Sequence, residues 1–80
     1  MRRIGINHLR LVSRYSGKTV AQKEALRSLS ALVSTPTFYK IIRDLEDLKI
    51  VQVVSDEVDH RLNYLIFAEV DINEFLTLEK

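Results

Sequence analysis

The chain has no cysteine. Disulfides and thiolate zinc sites are therefore excluded as supports for its eighty residues. A chain of this length buries only about 60 to 65 % of its unfolded surface, so a thin core is expected, to which a partner subunit would add. The absence of cysteine is compatible with a reducing interior. No apolar run approaches the roughly 20 residues that span a bilayer, and the Met1-Arg2-Arg3 start is not followed by a signal-type apolar segment. A soluble, cytoplasmic chain without membrane contact is expected. Also missing are a nucleophile motif, a glycine-rich phosphate loop and any metal-ligand spacing, so no enzyme, cofactor or metal ion is expected. No sheet pattern of stacking aromatics suggests RNA, since Tyr39 alone is not a platform.

Acid is scarce in one half only. Up to Arg43 there are nine Lys or Arg against the single acid Glu24, a net +8, and from Asp44 onward three bases meet ten acids, a net −7. The overall charge of +1 conceals this division. A basic surface for a polyanion follows, because Lys and Arg contacts to phosphate supply most nonspecific nucleic-acid affinity. A basic half docking on the acidic half of another subunit would show the same pattern.

Residues 34–48, STPTFYKIIRDLEDL, read as one short amphipathic helix. Ser34 is placed as N-cap and Pro36 falls in the first turn, where a missing N–H costs nothing. Phe38, Ile41, Ile42, Leu45 and Leu48 recur at spacings of three and four, which stacks them on one side. The opposite side carries Thr35, Thr37, Tyr39, Lys40 and Arg43, hydroxyl, aromatic and cationic groups that can reach phosphates and base edges. Such a face suits the recognition helix of a helix-turn-helix.

Upstream, residues 2–15 place Ile4, His8, Leu11, Val12 and Tyr15 at helical spacing, and Gly17 ends that helix by tolerating positive φ. His8 reads as a packed histidine, with no acid or second histidine near it in sequence. Thr19 is expected to cap a second helix reaching about Leu32, with Val20, Ala25, Leu26, Leu29 and Leu32 or Val33 inward. Lys23 and Arg27 share its outer side as i, i+4 neighbours. The restart at Ser34 leaves few residues to turn the chain, so the two helices pack steeply, as in a helix-turn-helix. Downstream, the β-branched residues 50–55 read as a strand, polar residues 56–60 as a turn, and residues 61–70 as a second strand. Leu62, Tyr64, Ile66 and Ala68 share one of its faces, and Asn63, Leu65 and Phe67 the other. In the tail, Asp71 with Glu74 makes a capping-box pattern, followed by Ile72, Phe75, Leu76 and Leu78 on a short apolar helix. This segment either closes the domain's own core or pairs with a second chain, and Ile72, Phe75, Leu76 and Leu78 are the expected dimerisation residues. The expected architecture is a single α+β domain over residues 1–80. It is a winged helix-turn-helix of three helices, a two-stranded β-hairpin wing and a short C-terminal helix.

Two of these stretches, VSTPTFYKIIRDLEDLKIV and DEVDHRL, resemble the recognition helix and the D-x-x-D-x-R wing signature of the MarR-like winged-helix regulators. Very short winged-helix proteins of archaea, viruses and plasmids are also similar. The likeness covers about residues 25–67. It implies that Thr35, Thr37, Tyr39, Lys40 and Arg43 enter the major groove and that Arg61 reaches DNA, supported by Asp56 and Asp59. Two departures stand out. Leu32 and Val33 occupy a turn where the family usually has glycine, and the long terminal helices that enclose a ligand pocket in full-length members have no room here, so no small-molecule ligand is expected. The wing tip is acidic, leaving Arg61 and His60 to supply nearly all of its attraction to phosphate.

The reading that follows is a sequence-specific double-stranded DNA-binding protein, a small homodimeric transcriptional regulator. Lys23, Arg27, Ser34, Thr35, Thr37, Tyr39, Lys40, Arg43, His60 and Arg61 are the expected DNA contacts, with Arg10 or Arg14 as further phosphate clamps. The alternative is a winged-helix module that binds protein as an adaptor subunit, which the acids Asp44, Glu46 and Asp47 beside the same surface would serve.

Overall fold

The segment marked out by Ser34 and Pro36 folds as α3 (Thr35–Asp47), with the four apolar residues Phe38, Ile41, Ile42 and Leu45 buried along one side. The structure is a computed structural model that describes residues 5–71 and Asn73. Before α3 come α1 (Ile6–Tyr15), β1 (Thr19–Ala21) and α2 (Gln22–Leu29), and after it β2 (Val51–Ser55) and β3 (Asn63–Phe67). Three helices followed by a short antiparallel hairpin match a generic winged-helix arrangement. The core draws on every element: Leu11 and Val12 from α1, Val20 from β1, Ala25 and Leu29 from α2, the α3 stripe, and Leu65 and Phe67 from β3.

The second strand resolves its two faces by burial. Leu65 and Phe67 point into the core, whereas Ile66 and Leu62 are exposed. Register explains the matching side of β2, since Val51 pairs with Phe67 and Val53 with Leu65, so all four side chains fall on one face.

The hairpin is not alone. β1 pairs antiparallel with β3, giving a three-stranded sheet in the order β1-β3-β2. The expected two-stranded hairpin is present as β2 and β3; what is corrected is that it stands alone and that Thr19 caps a helix. The Phe67 N–H donates to the Lys18 carbonyl at 2.9 Å, which draws residues 18–21 into the sheet and delays α2 to Gln22. Gly17, at φ 72, turns the chain into that strand while donating its N–H to the Ala68 carbonyl. At its other end α2 stops at Leu29 rather than Leu32, and the N–H groups of Leu32 and Val33 both donate to the Leu29 carbonyl. No residue of that turn has positive φ, which is why Leu32 and Val33 replace a glycine there without strain. Val33 packs on the core and Leu32 is exposed. The first helix is described from Ile6 with Gly5 as its N-cap, and Ile4 lies outside the described residues. Asp71 accepts the Asn73 N–H at 2.8 Å, but Ile72, Phe75, Leu76 and Leu78 of the expected tail helix lie outside the described residues.

Between α3 and β2 the backbone closes a Schellman motif. The Lys49 N–H donates to the Glu46 carbonyl and the Ile50 N–H to the Leu45 carbonyl, each at 2.9 Å. Lys49 takes the left-handed position, at φ 63, where glycine is usual. Non-glycine residues lose about 1–2 kcal/mol in that conformation. Lys49→Gly should therefore raise stability by about 0.5–1 kcal/mol after the extra backbone entropy of glycine is set against the relief, as read by urea denaturation. Phe38→Ala should act oppositely. Removing this fully buried ring should cost about 3–5 kcal/mol, a large share of the stability of so small a domain, with the circular-dichroism melt shifting or collapsing accordingly.

Candidate nucleic-acid interface

Two polar segments carry the expected contacts around α3. One is the start of the helix itself. Ser34 adopts extended backbone, its Oγ accepts the Thr37 N–H at 3.4 Å, and its hydroxyl donates to Thr37 Oγ1 at 2.9 Å. Both hydroxyls are thus engaged in starting the helix. Beyond them Thr35, Pro36, Tyr39, Lys40 and Arg43 are all exposed, Tyr39 to 45 % with its ring edge-on to buried Phe38. The helix is two-sided because the apolar residues fix its inner stripe and leave the rest to water.

The other segment is the turn between β2 and β3. Asp56 organises it: Oδ1 accepts the N–H groups of Val58 at 2.8 Å and Asp59 at 3.0 Å, and Oδ2 accepts the Tyr64 hydroxyl at 3.5 Å. Asp59 then holds Arg61. Its Oδ1 accepts the Arg61 backbone N–H and Nε, and its Oδ2 accepts Nη2 at 3.3 Å, a two-pronged grip on a side chain that is 90 % exposed. His60 is exposed on the same turn. Asp59 thus holds Arg61 directly, and Asp56 orders the backbone of the turn beneath it. The backbone donors of Asp59 and Val58 hold the Asp56 carboxyl below the usual carboxylate range, and the Arg61 guanidinium does the same for Asp59.

Between these segments lies an open groove of about 500 Å³ lined by Lys23, Tyr39, Arg61 and Asn63, among others. It joins three of the expected DNA contacts from three separate elements: α2, α3 and the wing. Arg27 follows Lys23 one turn along the exposed side of α2. Arg43 lies one turn beyond Tyr39 along the exposed ridge of α3. Lys40 and Thr37 belong elsewhere, to a second groove shared with His8 and Asp44 on the far flank of the same helix. Arg10 and Arg14 line a third groove between α1 and α2 with Ser28 and Leu32, so neither stands with the Tyr39 and Arg61 cluster. Gln22, Asn63 and Tyr64 also face the first groove and carry no signal in the sequence, because only the β1-to-α2 join and the β3 register bring them there.

His8 gained a partner that sequence proximity could not show. Its Nδ1 accepts the Gly5 N–H at 3.1 Å, which leaves the ring proton on Nε2, donated to Asp44 Oδ2 at 3.0 Å. The pair ties the N-terminus of α1 to the last turn of α3. Among the described residues no group of His, Asp or Glu is placed to hold a metal ion, and no helix is long and apolar enough to cross a membrane.

The wing turn should respond to acid. With both folded carboxyls titrating below their ordinary value, their contribution to stability is complete above about pH 4 and is lost as the pH falls through the folded values. In a proton–nitrogen correlation titration the amides of Val58, Asp59 and Arg61 should show a common step below about pH 4 that is lost in Asp56→Asn. Asp56→Asn should shift the same three amides already at pH 7. No protein-family model, curated protein or solved structure matches this chain.

Proposed function

We propose that this chain is a sequence-specific double-stranded DNA-binding protein, a small transcriptional regulator of the MarR-like winged-helix kind. One observation carries the reading: Tyr39, on the exposed side of α3, borders a groove whose other walls supply Lys23 and Arg61. In this mechanism α3 enters the major groove with Thr35, Tyr39, Lys40 and Arg43 toward base edges. Lys23, Arg27 and Arg61 lie on the phosphates at either side. The Asp59 grip keeps the Arg61 guanidinium extended in one direction, which lowers the ordering cost of its contact with a phosphate. Acting as a homodimer, the protein would favour palindromic sites with half-sites about 34 Å apart. Exposed Glu46 at the C-terminal end of α3 repels phosphate, so the helix enters the groove with its N-terminal part, as far as Arg43, and keeps its last turn outside.

Fluorescence anisotropy with a pool-selected duplex tests this directly. Affinity should fall by roughly 10³-fold or more between 50 and 200 mM salt, as counterions are displaced from several phosphates. Arg43→Ala should relax preference at particular base pairs, whereas Arg27→Ala should weaken all duplexes alike. Arg61→Ala should lower affinity by about tenfold and make the salt dependence shallower. Absence of any binding to duplex DNA at low salt would overturn the reading in favour of a protein-binding adaptor module.

A further inference from the structure

The β2 strand ends the sheet, and its outer edge is built unlike a protected edge. Edge strands are commonly blunted by lysine, proline, a bulge or shortness, each of which discourages a further strand from pairing. Residues 51–55, VQVVS, contain no charge and no proline. Their pairing with β3 runs without interruption from Val51 with Phe67 to Ser55 with Asn63, so no bulge twists the edge away. The opposite edge contrasts with it. β1 has three residues, follows Lys18 and passes directly into α2.

The ladder fixes which groups point outward. Ala68 donates to the Ile50 carbonyl and Asp56 donates to the Leu62 carbonyl, so residues 50, 52, 54 and 56 turn their main-chain groups toward β3. In antiparallel pairing these directions alternate, and the N–H and C=O groups of Val51, Val53 and Ser55 therefore face the free edge. Such a set is self-complementary. A second copy running antiparallel, with Val53 opposite the partner's Val53, also sets Val51 opposite the partner's Ser55. All three outward residues are then paired at once, and a shift by two residues either way loses pairs. Lys49 and Glu57 flank β2 just beyond its two ends, so the two-fold brings Lys49 of each copy to the end of the seam that carries the partner's Glu57. Core-facing Val51 and Val53 meet core-facing partners, so the helices of both copies lie on one side of a continuous six-stranded sheet.

We infer that β2 is a self-association edge, and that two copies of this chain join across it about a two-fold axis at Val53. The contact is isologous, as expected for a closed dimer. Opposite charges at both ends select this register over slipped ones, which strand backbone alone does only weakly. The inference stands apart from DNA binding and is tested without DNA.

Sedimentation equilibrium up to about 0.5 mM, where even a weak contact is populated, should show a reversible dimer. Hydrogen exchange should slow with concentration at the Val51, Val53 and Ser55 amides and not at Gln52 or Val54, whose amides are already paired. Lys49→Glu and Glu57→Lys should each weaken the dimer by about fivefold, and the double charge swap should restore it. Ser55→Pro removes one outward donor per copy and keeps the main-chain ladder to β3, losing there only the Ser55 hydroxyl's bond to Asn63 Oδ1, and should weaken association by about tenfold with unchanged circular dichroism. A monomer throughout the concentration range overturns the inference. So does a dimer indifferent to the charge reversals, which would place the contact elsewhere, as on residues 72–78.

Discussion

The fold hangs on the inner stripe of α3. Phe38, Ile41, Ile42 and Leu45 share one core with side chains of α1, α2 and both long strands. A chain of eighty residues has one such core and little in reserve. Committing this stripe to the interior fixes the rotation of the helix about its own axis. The outer side is then determined as a consequence: Tyr39 toward the wing, Lys40 toward α1 and Arg43 between them. The His8 to Asp44 hydrogen bond secures the same rotation from the α1 side with a polar contact. Apolar packing and one directional bond therefore agree on where the exposed face points.

The wing is held differently. Its turn has few apolar side chains to bury, and Val58 is 94 % exposed at the tip. Order comes instead from carboxylates taking backbone N–H groups, Asp56 from Val58 and Asp59, and Asp59 from Arg61. These acids would repel a polyanion if left free. Turned inward onto the backbone and onto Arg61, their charge is spent within the turn, and the guanidinium remains outside with most of its surface accessible.

The sequence is most legible where a local rule is strong. Ser34 and Pro36 mark the start of α3, its apolar spacing marks the buried stripe, and the β-branched run after Lys49 marks β2. Gly17 takes the positive φ read from its position. What local rules miss is long-range pairing. Thr19, Val20 and Ala21 are too few to show an alternation, and they become a strand only because β3 lies alongside. Thr19 looks like a cap for the same reason: its hydroxyl suits that role and nothing nearby argues against it. Asp44 stands 36 residues from His8, beyond any spacing rule. The candidate interface divides likewise. Each cation is visible singly, but the grouping of Lys23 with Tyr39 and Arg61, apart from Lys40, depends on helix and strand packing.

Two surfaces with different chemistry emerge from one small domain. The α3 and wing side offers cations and hydroxyls suited to a phosphate backbone and base edges, while the β2 edge offers unpaired main-chain groups suited to another strand. In the proposed function the outer side of α3 is the nucleic-acid contact. Chemical-shift mapping of isotope-labelled protein titrated with a short duplex at low salt addresses it residue by residue. Thr35, Tyr39, Lys40 and Arg43 should shift earliest, together with Lys23 and Arg61. A duplex that leaves these six unmoved, or whose perturbations centre on the α1 and α2 groove around Arg10 and Arg14, would contradict it.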